Sequence, residues 1–190
     1  MLALAAWLSS APAFARDDGV EEERVYARAG LFEIGGFAHF MVAKNYSSFG
    51  LYPTFGWFAW DNFELSAIVG VTRVGQTIED ESGESADVSR TQLLILGEPS
   101  FHFPFSEKVY GFVGLGLGLA HEARSPGPGA GPGFAFAPRL GLNLVIARSG
   151  ILTPALQASY QTTEALQTQN GDELAGHSSL GFQAGYTIIW

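Results

Sequence analysis

Residues 179–190 read SLGFQAGYTIIW, and they decide the fold. Leu180, Phe182, Ala184, Tyr186, Ile188 and Trp190 form one parity, all apolar or aromatic. Ser179, Gly181, Gln183, Gly185 and Thr187 form the other, all small or polar, with Ile189 as the exception. Successive side chains of a strand point to opposite faces, so the stretch predicts a strand with one greasy side and one wet side.

Working back from the C-terminus, the same split recurs. Phe134, Phe136, Pro138, Leu140, Leu142, Leu144 and Ile146 alternate with Ala135, Ala137, Arg139, Gly141, Asn143 and Val145. Leu152, Pro154, Leu156, Ala158 and Tyr160 alternate with Thr153, Ala155, Gln157, Ser159 and Gln161. Val113, Leu115, Leu117 and Leu119 alternate with Gly114, Gly116, Gly118 and Ala120. Noisier strands are read at Phe32–Val42, Phe49–Ala59, Phe63–Thr77 and Ser89–Phe103, for a total of eight. Several run well past the five or six residues usual in globular sheets and match the roughly 9–11 that a tilted strand needs to cross a bilayer. No apolar run is long enough for a spanning helix. The richest, Tyr110–Ala120, is short and studded with glycine.

Composition narrows the class further. The chain has 190 residues, 47% of them hydrophobic and only 15% charged, which excludes disorder. A net charge of -9 offers no polycationic face for nucleic acid. The absence of cysteine removes disulfides, thiolate metal sites and thiol nucleophiles. Residues 1–15, MLALAAWLSSAPAFA, end in the small-residue pattern Ala13-Phe14-Ala15 and read as a secretory signal, although no Lys or Arg precedes the apolar run. Residues 16–28, with acidic Asp17 to Glu23, read as a solvated periplasmic lead-in, and 29–190 as the barrel.

Connections are expected at Lys44–Ser48, Trp60–Asn62, Ile78–Val88, Pro104–Lys108, Glu122–Pro132, Ala147–Gly150 and Thr162–His177. From the second onward they alternate short and long, as in bacterial outer-membrane barrels, where short turns face the periplasm and long loops face outward. Aromatic residues sort with them. Trp57, Trp60, Phe63, Phe103, Tyr110 and Trp190, joined by Phe58, Phe101 and Phe105, are expected in a girdle at the periplasmic boundary. Phe40, Tyr46, Phe49, Phe134 and Tyr160 are expected in the outer one.

The C-terminal strand carries a polar residue, a glycine, a hydrophobic residue and a terminal aromatic at Gln183, Gly185, Ile188 and Trp190. That pattern resembles the assembly signal of outer-membrane β-barrel proteins. With eight alternating strands, the chain is similar to the small eight-stranded family that includes the OmpA transmembrane domain. The resemblance implies an all-β, antiparallel, up-and-down transmembrane barrel in the Gram-negative outer membrane, inserted by the barrel-assembly machinery. Contact with membrane lipid and lipopolysaccharide, a monomer, and no cofactor or metal are expected.

The inward parity would bring Glu33, His39, Glu64, Arg90, Glu98, His102 and Arg139 into the lumen, where charges must be paired or hydrated. Glu64 or Glu98 is expected to pair with Arg139 or Arg90. A polar plug that holds the barrel together is the leading reading. A structural or surface-interaction protein is the function expected from it, ahead of a narrow channel for small or hydrophobic solutes of the OmpW type. A lipid A hydrolase like the PagL type is the remote alternative, resting on His177 and Ser179 with Glu164 or Glu173 as orienting carboxylate. There the departures are Leu180 in place of an asparagine and an inward rather than lipid-facing register. A soluble lipocalin-like barrel would reverse the parity and bury the aliphatic face. The segment Ile78–Val88 carries Glu79, Asp80, Glu81, Glu84 and Asp87 but lacks the order of a calcium loop, and reads as a solvated loop. Ser125–Gly133 reads as a low-complexity mobile tip. The glycines at 114, 116 and 118 read as lumen-facing rather than nucleotide-binding.

Overall fold

A computed structural model describes residues 26–43, 46–79, 85–125, 130–162 and 177–190. Eight strands follow in order: β1 (Phe32–Ala43), β2 (Tyr46–Trp60), β3 (Phe63–Glu79), β4 (Ser85–Ser106), β5 (Val109–Ser125), β6 (Ala130–Ala147), β7 (Gly150–Thr162) and β8 (His177–Ile189). Each pairs antiparallel with its neighbour, and β1 pairs with β8 to close the barrel. Among the described residues there is no helix. Closure is what lets a sheet cross hydrocarbon, because every backbone group then has a partner and none faces lipid alone.

The outer face is apolar along its whole girth. Leu65, Val69, Ile95, Val113, Leu117, Phe136, Leu140, Leu156 and Phe182 are all exposed, while the residues between them are turned inward. This parity is the one that spans a bilayer, and the reversed, soluble arrangement is ruled out by it.

Proline positions fit the ladder. Pro53, Pro99 and Pro138 each keep a register partner on one side, at Gly36, Leu65 and Leu115. On the other side the pairing skips across each of them. A residue without an N–H satisfies one neighbour and leaves a gap toward the other.

The strands are longer than the sequence suggests. β4 reaches 22 residues and β6 18, well beyond the roughly 9–11 needed to cross. Glu122, expected in a loop, lies within β5, and Ala130–Gly133 of the expected mobile tip lie within β6. Of the expected acidic loop, Ile78 and Glu79 belong to β3 and Ser85 to Val88 belong to β4. Residues 80–84 and 126–129 lie outside the described residues. Past the membrane both faces of a strand meet water, so the alternation that marks a strand in sequence fades although the backbone pairing continues, here to Glu79–Ser85. At the other end, two-residue turns at 61–62, 107–108 and 148–149 connect the strands. Each is preceded by a register shift, between Phe58 and Trp60, Pro104 and Ser106, and Val145 and Ala147. Asn62 takes φ 65°, a left-handed conformation that asparagine tolerates well.

Inside, side chains stack in layers. At the short-turn end Tyr26, Ala27, Phe58, Tyr110, Ile151 and Ile189 form an apolar plug, with Leu31 and Val145 against it. A polar layer follows. Beyond it Phe37, Tyr52, Ile68, Leu94, Leu96 and three alanines form a second apolar layer. A wider cavity then opens toward the long-loop end.

Two expectations change here. Tyr110 and Phe58 do not sit in the aromatic girdle; both are buried in the plug. Their position beside a turn suggested the boundary, but their strand parity points them inward. Ile189, the exception in the C-terminal alternation, is the apolar inward residue that this plug requires. Tyr26 and Ala27, from the segment read as a lead-in, complete it. The amide of Asn62 donates to the Ala27 carbonyl at 2.8 Å, which anchors that segment to the first short turn. Trp57, Trp60, Phe103 and Trp190 are exposed at this end, and Phe63 is half-buried. Phe40, Phe49, Phe134 and Tyr160 are exposed toward the other end. The side chain of Tyr46 lies outside the described residues.

Candidate functional site: the charged layer of the lumen

The register of β3, β4, β5 and β6 assembles the polar layer from residues distant in sequence. Glu64 opposes Ser100, and Ser66 opposes Glu98. Gly114 opposes Arg139. Two charged groups meet at the centre, where the Arg139 guanidinium donates to the Glu98 carboxylate at 2.5 Å. Phe37 and Phe112 flank the same guanidinium, with ring centroids 5.0 and 5.2 Å from its carbon. The cation is thus held by one carboxylate and two aromatic faces, a setting suited to a weakly hydrated guanidinium.

Toward the plug, the second carboxylate is bound by a different set. Ser66 donates to Glu64 Oε1 at 2.5 Å, and His102 Nε2 lies 3.0 Å from Glu64 Oε2. Thr153 donates to Asn143 Oδ1 at 2.7 Å, which turns the Asn143 amide nitrogen toward His102 Nδ1 at 3.1 Å. An N–H facing Nδ1 makes that atom the acceptor, so the imidazole proton belongs on Nε2, donated to Glu64. Asn143 also donates to the Tyr26 hydroxyl at 2.9 Å. Ser100 Oγ sits 3.0 Å from His102 Nε2, the same nitrogen that faces Glu64. A hydrolytic triad needs nucleophile and carboxylate on opposite ring nitrogens, so this cluster is a buried hydrogen-bond network and not an activated serine.

Space for the carboxylates comes from glycine. A Cβ at Gly114 would lie 2.8 Å from Glu98 Cδ, and one at Gly56 would overlap Glu64 Oε1. The glycines at 114 and 116 in β5 are indeed turned into the lumen.

All seven lumen residues read from the sequence have inward register. Glu33, Glu64, Glu98 and His102 are buried, and the Arg139 side chain is 10% exposed. They do not form a single cluster. Arg90 stands in the upper cavity, 3.7 Å from Glu122, which Arg124 also meets at 2.6 Å. His39 bonds to Ser48 at 3.0 Å near the same level. Sequence reading overlooked Ser66, Ser100, Glu122 and Tyr26. The serines share the parity of Glu64 and Glu98 and were legible by that rule, whereas nothing in the sequence ties Tyr26 to His102.

Of the remote hydrolase set, Ser179 bonds to the Ser159 hydroxyl at 2.7 Å across β7 and β8. The side chain of His177, and Glu164 and Glu173 altogether, lie outside the described residues. Among the described residues no group of three metal-ligating side chains converges.

No family model and no curated protein matches the chain by sequence. Solved structures match its fold. Outer membrane protein OprG of Pseudomonas aeruginosa aligns with a TM-score of 0.55 at 11% identity, covering 88% of this chain and 99% of that one. Neisserial surface protein A aligns at 0.53 and 12% identity, covering 83% and 94%. The N-terminal β-barrel domain of Pseudomonas aeruginosa OprF aligns at 0.51 and 17% identity, covering 85% and 98%.

Proposed function

We propose that the protein is an integral outer-membrane barrel with a structural or surface-interaction role, its lumen closed to solute flow. One observation carries this reading: the Arg139 guanidinium fills the centre of the lumen between Glu98, Phe37 and Phe112. Below it the plug around Tyr26 closes the short-turn end a second time. Eight strands leave an interior just wide enough for side chains to fill. In this reading outer-membrane lipid and lipopolysaccharide surround the apolar wall, and the assembly machinery engages the terminal strand through Gln183, Gly185, Ile188 and Trp190. Ile188 and Trp190 face outward there, while Gln183 and Gly185 face the lumen.

The test has two steps. The protein should fractionate with the outer membrane and migrate differently in gels before and after boiling. Reconstituted in planar bilayers, it should then show no reproducible unit conductance. A steady conductance that shifts in Arg139→Ala would favour the narrow channel, for which the open cavity above Arg139 is the supporting feature.

A further inference from the structure

The barrel is not uniformly sealed. β1 and β8 pair from Glu33–Ile189 to Ala38–Ala184, with Phe32 and Trp190 exchanging backbone hydrogen bonds at the short-turn end, and among the described residues no pair extends the ladder past Ala38–Ala184. Yet β1 stays paired with β2 as far as Ala43–Tyr46, and β8 stays paired with β7 as far as His177–Gln161. Two strand edges therefore diverge over the long-loop half of this seam. Among the described residues, no β1–β8 pairing supplies partners to the backbone groups there, as closure does elsewhere.

Behind the seam lies a cavity of about 420 Å³, in the range of small-ligand pockets. Its lining mixes the two faces of the wall. Phe40, Leu180 and Phe182 belong to the lipid-facing parity, whereas Arg90, Gln92 and Gln161 belong to the lumen. A cavity bounded by both faces crosses the wall and opens sideways. The three apolar rim residues are 63–78% exposed, among the most exposed large hydrophobic side chains in the protein. Charge in the cavity is one-sided: Arg90 lines it, and Arg90 and Arg124 share the single carboxylate of Glu122.

We propose that this seam and cavity form a site for a single-chain amphiphile with a carboxylate head, of the fatty-acid class, entering from the membrane. The head pairs with Arg90, with the Gln92 and Gln161 amides beside it, and the hydrocarbon tail passes out between Phe40 and Phe182 into lipid. A guanidinium matches a carboxylate in charge and in fork geometry. A second strand inserted at the seam would pair the open edges but leave the cavity empty, so the small amphiphile fits better.

Carboxyl-¹³C laurate titrated into the full chain in phosphatidylcholine nanodiscs tests this by NMR. One saturable bound resonance is expected, displaced neither by dodecanol nor by phosphatidylglycerol in the disc. Gly181→Trp should abolish it; a Cβ there meets nothing within 4 Å, so the indole can leave the backbone freely and fill the seam. Gly97→Trp, where an added Cβ likewise meets nothing within 4 Å but on another strand, should leave it unchanged. Arg90→Gln should weaken binding at least about tenfold, the loss expected for a charge-assisted pair. The proposal is overturned by the absence of a saturable resonance, by binding that survives Gly181→Trp or Arg90→Gln unchanged, or by equal loss in Gly97→Trp. Displacement by phosphatidylglycerol would assign the seam to a membrane phospholipid instead. A protein dimer that Gly181→Trp dissociates and laurate does not would assign it to a second copy of the chain.

Discussion

Replacing Arg139 with alanine leaves the Glu98 carboxylate, 2% exposed, with its cation gone. Removing one member of a buried ion pair costs about 3–5 kcal/mol, because the remaining charge stays desolvated. The rings of Phe37 and Phe112 lose a cation worth about 0.5–2 kcal/mol to each, which places Arg139→Ala at or above the top of that range. Glu98→Gln should cost less, since the guanidinium keeps both rings. The double change Glu98→Gln with Arg139→Met should recover to within about 1 kcal/mol of the parent, as uncharged replacements of buried pairs tend to be neutral. The assay is reversible urea unfolding of the barrel in lipid vesicles, followed by tryptophan fluorescence from Trp57, Trp60 and Trp190. With a urea slope of about 2 kcal/mol per M, a loss of about 5 kcal/mol in Arg139→Ala should lower the midpoint by about 2.5 M. An Arg139→Ala loss below about 1 kcal/mol, or a double variant no more stable than Arg139→Ala, would refute the view that this pair is desolvated and mutually dependent.

Other perturbations probe the remaining layers. Tyr26→Phe keeps the ring in the plug and removes only the hydroxyl that accepts from Asn143, so a loss of about 1 kcal/mol is expected by the same unfolding assay. Tyr26→Ala empties a fully buried aromatic position and should cost about 3–5 kcal/mol. Bilayer recordings of Arg139→Ala should stay silent while Tyr26 holds the lower plug, with conductance emerging only when Arg139→Ala and Tyr26→Ala are combined. Gly114→Val drives a side chain into Glu98 and should cost about 1–3 kcal/mol through overpacking, seen as a lower urea midpoint. Glu122→Gln, by contrast, frees two guanidinium groups that water reaches, each about a third exposed, and its midpoint should move by no more than about 1 kcal/mol.

How legible a feature was depended on whether it obeyed a local rule. Within β6, β7 and β8 the alternation is nearly unbroken because those strands face lipid on one side and packed side chains on the other, so periodicity alone located them. The same rule turned Glu98 and Arg139 inward. It failed where a second cue competed. Tyr110 and Phe58 adjoin short turns, and reading them by that position placed them in the girdle, whereas their parity buries them. Past the bilayer the rule lost its cause: β3 and β4 remain hydrogen-bonded out to Glu79 and Ser85 although neither face is sorted by lipid any longer.

What the sequence determined by itself is the barrel, its eight strands and which parity meets lipid, since each follows from the contrast between hydrocarbon and lumen acting on one residue at a time. Pairings were decided only by the tertiary structure. That Arg139 takes Glu98 while Arg90 takes Glu122 depends on the stagger between strands, which shifts neighbours vertically without changing any residue's parity. The seating of Tyr26 beneath His102, and the parting of β1 from β8 beyond Ala38, depend on how the sheet closes. Closure is a property of all eight strands together, and no single stretch of the chain encodes it.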